Sequence, residues 1–126
     1  PRIVGIQQAL EWVYTGDILT AEQALAGTLV RSVHAPDELL PAAYELARKF
    51  SQNKSPVAVA FARQMLYRNA AQPQPIEAHR IDTLAMFYTS LEDGKEGVSS
   101  FLEKRDPAYA SKASAMPAFY PWWKQA

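Results

Sequence analysis

The sequence predicts a mainly α fold of about six helices, with one short extended segment and an irregular aromatic tail. Three observations carry this. Apolar residues recur at i, i+3, i+4 and i+7 through most of the chain. Helix start and stop residues bracket those runs. Beyond residue 105 the period is lost, and prolines and small residues surround Tyr109, Phe119, Tyr120, Trp122 and Trp123.

Taken in order, Gly5 to Tyr14 reads as a helix whose stripe is Ile6, Leu10, Val13 and Tyr14. Gly16 supplies a left-handed end. Thr20 and Gln23 have capping-box spacing and open a short helix from Ala21 to about Ala26, closed by Gly27. Leu29 to Val33 is apolar and β-branched, which predicts a short strand or extended segment. Pro36-Asp37-Glu38 starts the next helix, with Pro41 loosening its first turn, and it runs to about Gln52. Its expected buried face is Leu39, Ala43, Leu46, Ala47 and Phe50.

Ser55-Pro56 is an N-cap followed by an N1 proline. The helix it opens should end near Ala70 and bury Ala58, Ala62, Met65 and Leu66. Gln72-Pro73-Gln74-Pro75 is a break, and Pro75 starts a long helix to Leu91. One side of that helix carries Ile76, Leu84, Phe87 and Leu91; another carries Ile81, Ala85 and Tyr88. A helix apolar on two sides lies between two bodies. The last helix, Glu92 to Arg105, places Val98, Phe101, Leu102 and Arg105 on one face, acids first and cations last. Asp106-Pro107 stops it. The aromatic tail should lie across a surface, in the same subunit or a neighbour.

Composition narrows function. Lys+Arg and Asp+Glu are both 13, so the net charge is zero, which argues against a nucleic-acid surface. There is no cysteine, which excludes disulfides, thiolate metal sites and a cysteine nucleophile and suits a reducing cytoplasm. No apolar run approaches the roughly 20 residues of a membrane span. The chain starts with Pro1, and apolar pattern begins at once with Ile3 and Val4, which points to a piece of a longer protein.

Candidate chemistry is sparse. His34 and His79 are the two histidines, and Glu77 lies on a different helical face from His79, so no metal site is expected. Glu92, Asp93 and Glu96 are explained by a helix N-terminus as well as by acid/base work. No phosphate-cradling glycine loop and no nucleophile elbow occur, and no catalytic residue is assigned. Lys104 and Arg105 beside the aromatic tail form a possible phosphate or nucleotide corner; complementing a helix C-terminus explains them equally.

Pro1-Arg2-Ile3-Val4-Gly5, Tyr14-Thr15-Gly16-Asp17, Ala21-Glu22-Gln23-Ala24 and Leu29-Val30-Arg31-Ser32-Val33 follow one another in a telling order. Together with Ser55-Pro56 and Glu92-Asp93-Gly94-Lys95-Glu96-Gly97…Phe101-Leu102-Glu103-Lys104-Arg105, the chain resembles the C-terminal half of the crotonase (enoyl-CoA hydratase/isomerase) superfamily. Pro117…Phe119-Tyr120-Pro121-Trp122-Trp123 is similar to the ending of some bacterial members. The resemblance implies that residues 1–35 end the crotonase core region, 36–105 form a C-terminal helical oligomerisation (trimerisation) domain, and 106–126 an extended aromatic-rich tail.

It also implies a parent protein that hydrates a 2-enoyl-CoA or runs a related enolate reaction. The oxyanion-hole amides and acid/base carboxylates of such a parent match positions upstream of Pro1, so this chain alone should be inactive. A coenzyme A thioester enters as substrate, with no resident cofactor. Lys104 matches a lysine that approaches CoA from a neighbouring subunit, in a homotrimer or a dimer of trimers. The family's adenine-contacting aromatic falls at Ala85, beside Met86 and Phe87, which leaves Phe87 as the candidate. The family glycine of the Gly-Leu-Val segment falls at Thr28, with Gly27 one residue earlier. The reading from a different class is a non-catalytic helical interaction module, which would bind a partner but no CoA.

Overall fold

A computed structural model describes residues 1–124. Six α-helices follow in order: α1 Ile6–Thr15, α2 Ala21–Ala26, α3 Leu39–Ser51, α4 Pro56–Asn69, α5 Pro75–Leu91 and α6 Asp93–Glu103, with a short 3-10 turn Trp122–Lys124 in the tail. No strand occurs among the described residues. The chain forms two compact units, Pro1–Leu46 and Ala47–Ala126, with the division inside α3. No helix among the described residues is long and apolar enough to cross a membrane.

In the first unit the caps form as their residues dictate. Gly16 ends α1 at φ 67°, its amide donating to the Trp12 carbonyl. Thr20 and Gln23 exchange both bonds of the capping box. The end of α2 is a Schellman turn: the Leu29 amide reaches the Ala24 carbonyl at 2.8 Å and the Thr28 amide reaches Leu25 at 3.0 Å. The left-handed residue of that turn is Thr28, at φ 60°, not the glycine beside it. Gly27 is needed for a different reason: a Cβ there would stand 2.3 Å from the half-buried Trp12 ring.

Leu29 to Val33 does not become a strand; it passes through bends into irregular chain, because no second strand offers it a ladder among the described residues. Pro36–Glu38 forms a turn, and regular helix begins at Leu39. Pro41 then falls in the first turn of α3, where its missing amide costs nothing. The Leu39 amide reaches the Ala35 carbonyl at 3.1 Å, and beyond the proline the Ala42 amide reaches Glu38 at 3.0 Å.

The core of the second unit sits between α4, α5 and the tail. Val57, Phe61 and Ala85 are buried, with Met65, Tyr88, Met116, Phe119, Tyr120 and Trp122 packed on them. Phe61 stacks on Phe119, centroids 5.5 Å apart, and meets Tyr120 and Tyr88 edge-on at 5.4 and 6.3 Å. So the tail lies across a surface of its own chain. The inward face of α4 is Val57, Phe61 and Met65. Of the expected Ala58, Ala62, Met65 and Leu66, Met65 packs inward, while Ala58, Ala62 and Leu66, one residue out of step with that face, are exposed. Both stripes are apolar at the same spacing. The tail's rings decide between them, since a phenylalanine offers more area to bury than an alanine.

Several other expected faces are also uncovered. Ile6, Val13 and Tyr14 on α1, Leu39 and Phe50 on α3, and Val98, Phe101 and Leu102 on α6 are all exposed. On α5 Ala85 and Tyr88 pack inward and Ile81 is half-buried, while Ile76, Leu84, Phe87 and Leu91 stay exposed. The chain presents 9806 Å² of accessible surface.

Candidate functional site

The acids and the two cations Lys104 and Arg105 singled out from the sequence lie on α6 and at its ends. Its first residue, Asp93, is 6% exposed. The Ser55 hydroxyl donates to Asp93 Oδ2 at 2.5 Å, the Ser111 hydroxyl donates to the same oxygen, and the Ser111 amide reaches Oδ1 at 3.4 Å. Burial pushes the carboxyl's pKa up. The hydroxyls of Ser111 and Ser55 and the amides of Ser111 and Ala110 outweigh it, and the pKa ends below the usual carboxylate range. Asp93 is therefore an anion that pins three segments: the α4 cap, the start of α6 and the tail.

One turn on, Glu96 holds Arg105 through two bonds, 2.5 and 2.9 Å, and accepts the Ala108 amide at 2.7 Å. The guanidinium bonds, then the Ala108 amide, lower the Glu96 pKa to about 2. Arg105 also reaches Glu103 at 2.6 Å, and its own pKa rises further above the ordinary value through its bonds to Glu96 and then Glu103. Neither Asp93 nor Glu96 is left as a free proton carrier. They are structural anions. The sequence showed acids near a helix N-terminus but not this, because their partners Ser55, Ser111 and Arg105 are distant in the chain or beyond the helix.

The last turn departs from the expected helix to Arg105. Helix α6 ends at Glu103, and Lys104 takes the left-handed conformation at φ 55°. Its amide reaches the Phe101 carbonyl at 3.3 Å and the Arg105 amide reaches Ser100 at 3.0 Å, another Schellman turn. Lys104 is exposed, and no described residue pairs with it. Phe101, three residues earlier, is 81% exposed on the same last turn. Phe87 is 64% exposed but lies on α5, one turn before its end. Lys104 stands at the far end of α6 from that junction, about 16 Å of helix away. No described contact joins Lys104 and Phe87.

The anticipated corner of Lys104, Arg105 and the aromatic tail is likewise not assembled. Arg105 is committed to Glu96 and Glu103, and the tail's tryptophans lie with Arg68 instead, whose guanidinium carbon is 4.7 Å from the Trp123 ring centre. His34 bonds Ser32 at 2.7 Å. His79 is an exposed residue on α5. No group of three or more metal-ligating side chains gathers among the described residues.

Comparison with known proteins gives this geometry a context. The enoyl-CoA hydratase/isomerase family model matches residues 1–112. The chain is 38% identical over 112 residues to enoyl-CoA hydratase AFT3-1 of Alternaria alternata, covering 86% of this chain and 37% of that protein. It is 34% identical over 116 residues to crotonyl-CoA hydratase of Syntrophomonas wolfei, covering 89% of this chain and 43% of that one. In structure it is similar to enoyl-CoA hydratase of Bacillus anthracis, with a TM-score of 0.79 and 28% identity over 89% of this chain and 43% of the other. The chain thus spans less than half the length of these relatives, and the part it matches is the C-terminal helical part of the crotonase fold.

Proposed function

The chain belongs to the enoyl-CoA hydratase/isomerase family, and from that premise we propose that it is the C-terminal helical part of a protein acting on acyl-CoA thioesters. The reaction is hydration of a 2-enoyl-CoA or a sister reaction through the same enolate, with the CoA thioester as substrate rather than resident cofactor. Within the whole protein this chain supplies subunit contacts and one edge of the CoA site. The observation that carries the reading is the family match across residues 1–112.

The uncovered apolar faces support the contact role. Ile76, Leu84, Phe87 and Leu91 on α5 and Val98, Phe101 and Leu102 on α6 are surfaces of the kind that a homotrimer or dimer of trimers buries. Lys104 is the proposed contact to the CoA phosphates, because it is a cation without a described partner. Phe87 remains an aromatic candidate for the adenine. Phe101 is the one that shares its last turn with Lys104.

The test uses the protein as its source cell makes it. Crotonyl-CoA hydration is measured first, and then CoA binding to wild type, Lys104→Gly, Phe87→Ala and Phe101→Ala. Glycine suits the left-handed backbone at Lys104, so that variant removes the charge without disturbing the turn. A loss of about tenfold in CoA affinity with Lys104→Gly is expected, the worth of one charge-assisted contact. No CoA binding by the wild-type protein would overturn the reading in favour of a non-catalytic interaction module. CoA binding that is indifferent to Lys104→Gly would remove Lys104 from the site.

A further inference from the structure

Beside the CoA reading, and independent of it, lies a cavity of about 520 Å³ between the end of α4, the start of α5 and the tail. Arg68, Gln72, Glu77, Arg80, Trp122 and Trp123 line it. Its size falls in the range of small-ligand pockets, roughly 300–1000 Å³.

The donors in it are under-used. Arg68 spends only its Nε, on Gln64 at 3.3 Å, and lays its guanidinium over Trp123 at 4.7 Å. Its two terminal nitrogens have no partner among the described residues. Arg68 is in the last turn of α4, where the helix dipole favours a cation. That accounts for its charge but not for its place over the Trp123 ring. Arg80 gives Nη1 to both Glu77 oxygens, at 3.1 and 3.2 Å, and its Nη2 and Nε have no partner among the described residues. Glu77 is the one carboxylate among the described lining residues, and Arg80 already occupies it.

The walls are aromatic. Trp122 and Trp123 meet edge to face, centroids 4.9 Å apart at 80°. Trp122 is anchored from behind by the core around Phe61. A rigid indole wall next to two partly free guanidinium groups matches a flat ring that carries negative charge. The ring packs on indole, and the charge takes the paired donors that a guanidinium presents to carboxylate or phosphate oxygens.

We propose that the Arg68/Arg80/Trp122/Trp123 cavity is a binding site for a small planar aromatic anion, a ring bearing a carboxylate or phosphate. The site lies on side chains for which neither the helical faces nor the α6 network has a use.

The probe is 2-naphthoate, titrated against the protein as its source cell makes it and followed by tryptophan fluorescence and by ligand line broadening in NMR. Sulfate serves as charge without a ring and 2-naphthalenemethanol as ring without charge. Naphthoate should bind at least tenfold more tightly than either. Arg68→Gln and Arg80→Gln should each weaken naphthoate binding about tenfold, the worth of one charge-assisted contact. Glu77→Gln should tighten it about threefold by removing the competing carboxylate, a gain that misfolding cannot imitate. Equal binding of naphthoate and naphthalenemethanol would overturn the proposal, since that is adsorption to exposed apolar surface. So would naphthoate affinity unchanged in all three charge variants, or no naphthoate binding up to millimolar concentration.

Discussion

The Ser55 hydroxyl donates to the Asp93 carboxylate at 2.5 Å while its oxygen accepts the Ala58 amide at 3.1 Å. One side chain thus caps α4 and ties it to the start of α6, 38 residues later. Ser55 and Asp93 are both buried, so neither bond can be replaced by water without reorganising the junction. Ser55→Ala should cost about 2 kcal/mol, as a lost cap and a lost bond to a buried charge. Asp93→Ala should cost about 3 kcal/mol because it strands two hydroxyls. The double variant should cost clearly less than the sum, which denaturant unfolding of all three variants measures.

Acid should loosen the same region first. Asp93 and Glu96 both have pKa values lowered by folding, Glu96 from 4.5 to about 2. A carboxyl of this kind adds stability above its unfolded pKa and loses it as pH falls through the folded value. Stability should therefore be level above about pH 5 and fall progressively toward about pH 2. Glu96→Gln together with Asp93→Asn should flatten that part of the profile. Thermal midpoints across the range give the answer, and an unchanged acid limb would refute the assignment.

Thr28 is a β-branched residue in a conformation that glycine adopts freely. Thr28→Gly should stabilise the protein by about 1 kcal/mol, the lower end of the cost of a left-handed β-branched residue. Gly27→Ala should act the other way, by about 2 kcal/mol, because the added methyl meets the Trp12 ring. Opposite signs at adjacent positions, read from thermal shifts, check the turn geometry.

The tail is held by aromatic packing on Phe61. Phe61→Ala should cost about 4 kcal/mol, the usual range for a buried phenylalanine. It should also free the tail, seen as faster amide exchange at Phe119 and Tyr120. Loss of stability with full tail protection would mean that the Asp93–Ser111 link alone holds the tail.

The uncovered faces predict behaviour in solution. The 126-residue chain by itself should self-associate with rising concentration, through α5 and α6 residues such as Phe87, Leu91 and Phe101. Light scattering over a concentration series checks this, and a sharp monomer throughout would count against it. Phe87→Glu with Phe101→Glu should shift the series toward monomer.

Helix existence was legible in the sequence because its signals are local. Thr20 with Gln23, Ser55-Pro56, Gly16 and the Pro73–Pro75 break act within a turn of themselves, and each placed a boundary within a residue or two. The exceptions are local too. Pro36–Glu38 formed a turn before the helix, and α6 stopped at Glu103 because a Schellman turn closed over Lys104. Of the candidate site, the sequence nominated Lys104 and Phe87 but carried no information on their separation.

Which apolar stripe is buried was decided by the tertiary structure alone. On α4 two stripes compete at the same spacing, and the rings of Phe119 and Tyr120, more than 50 residues away, select Val57 and Phe61. The roles of the charges were settled the same way. Asp93 and Glu96 became structural anions through Ser55, Ser111 and Arg105, and Arg68 rather than Lys104 met the tail's tryptophans. The physical reason is range. Capping and periodicity act over about four residues, so a sequence states them directly. Burial and charge pairing act through space between segments whose meeting depends on the whole chain.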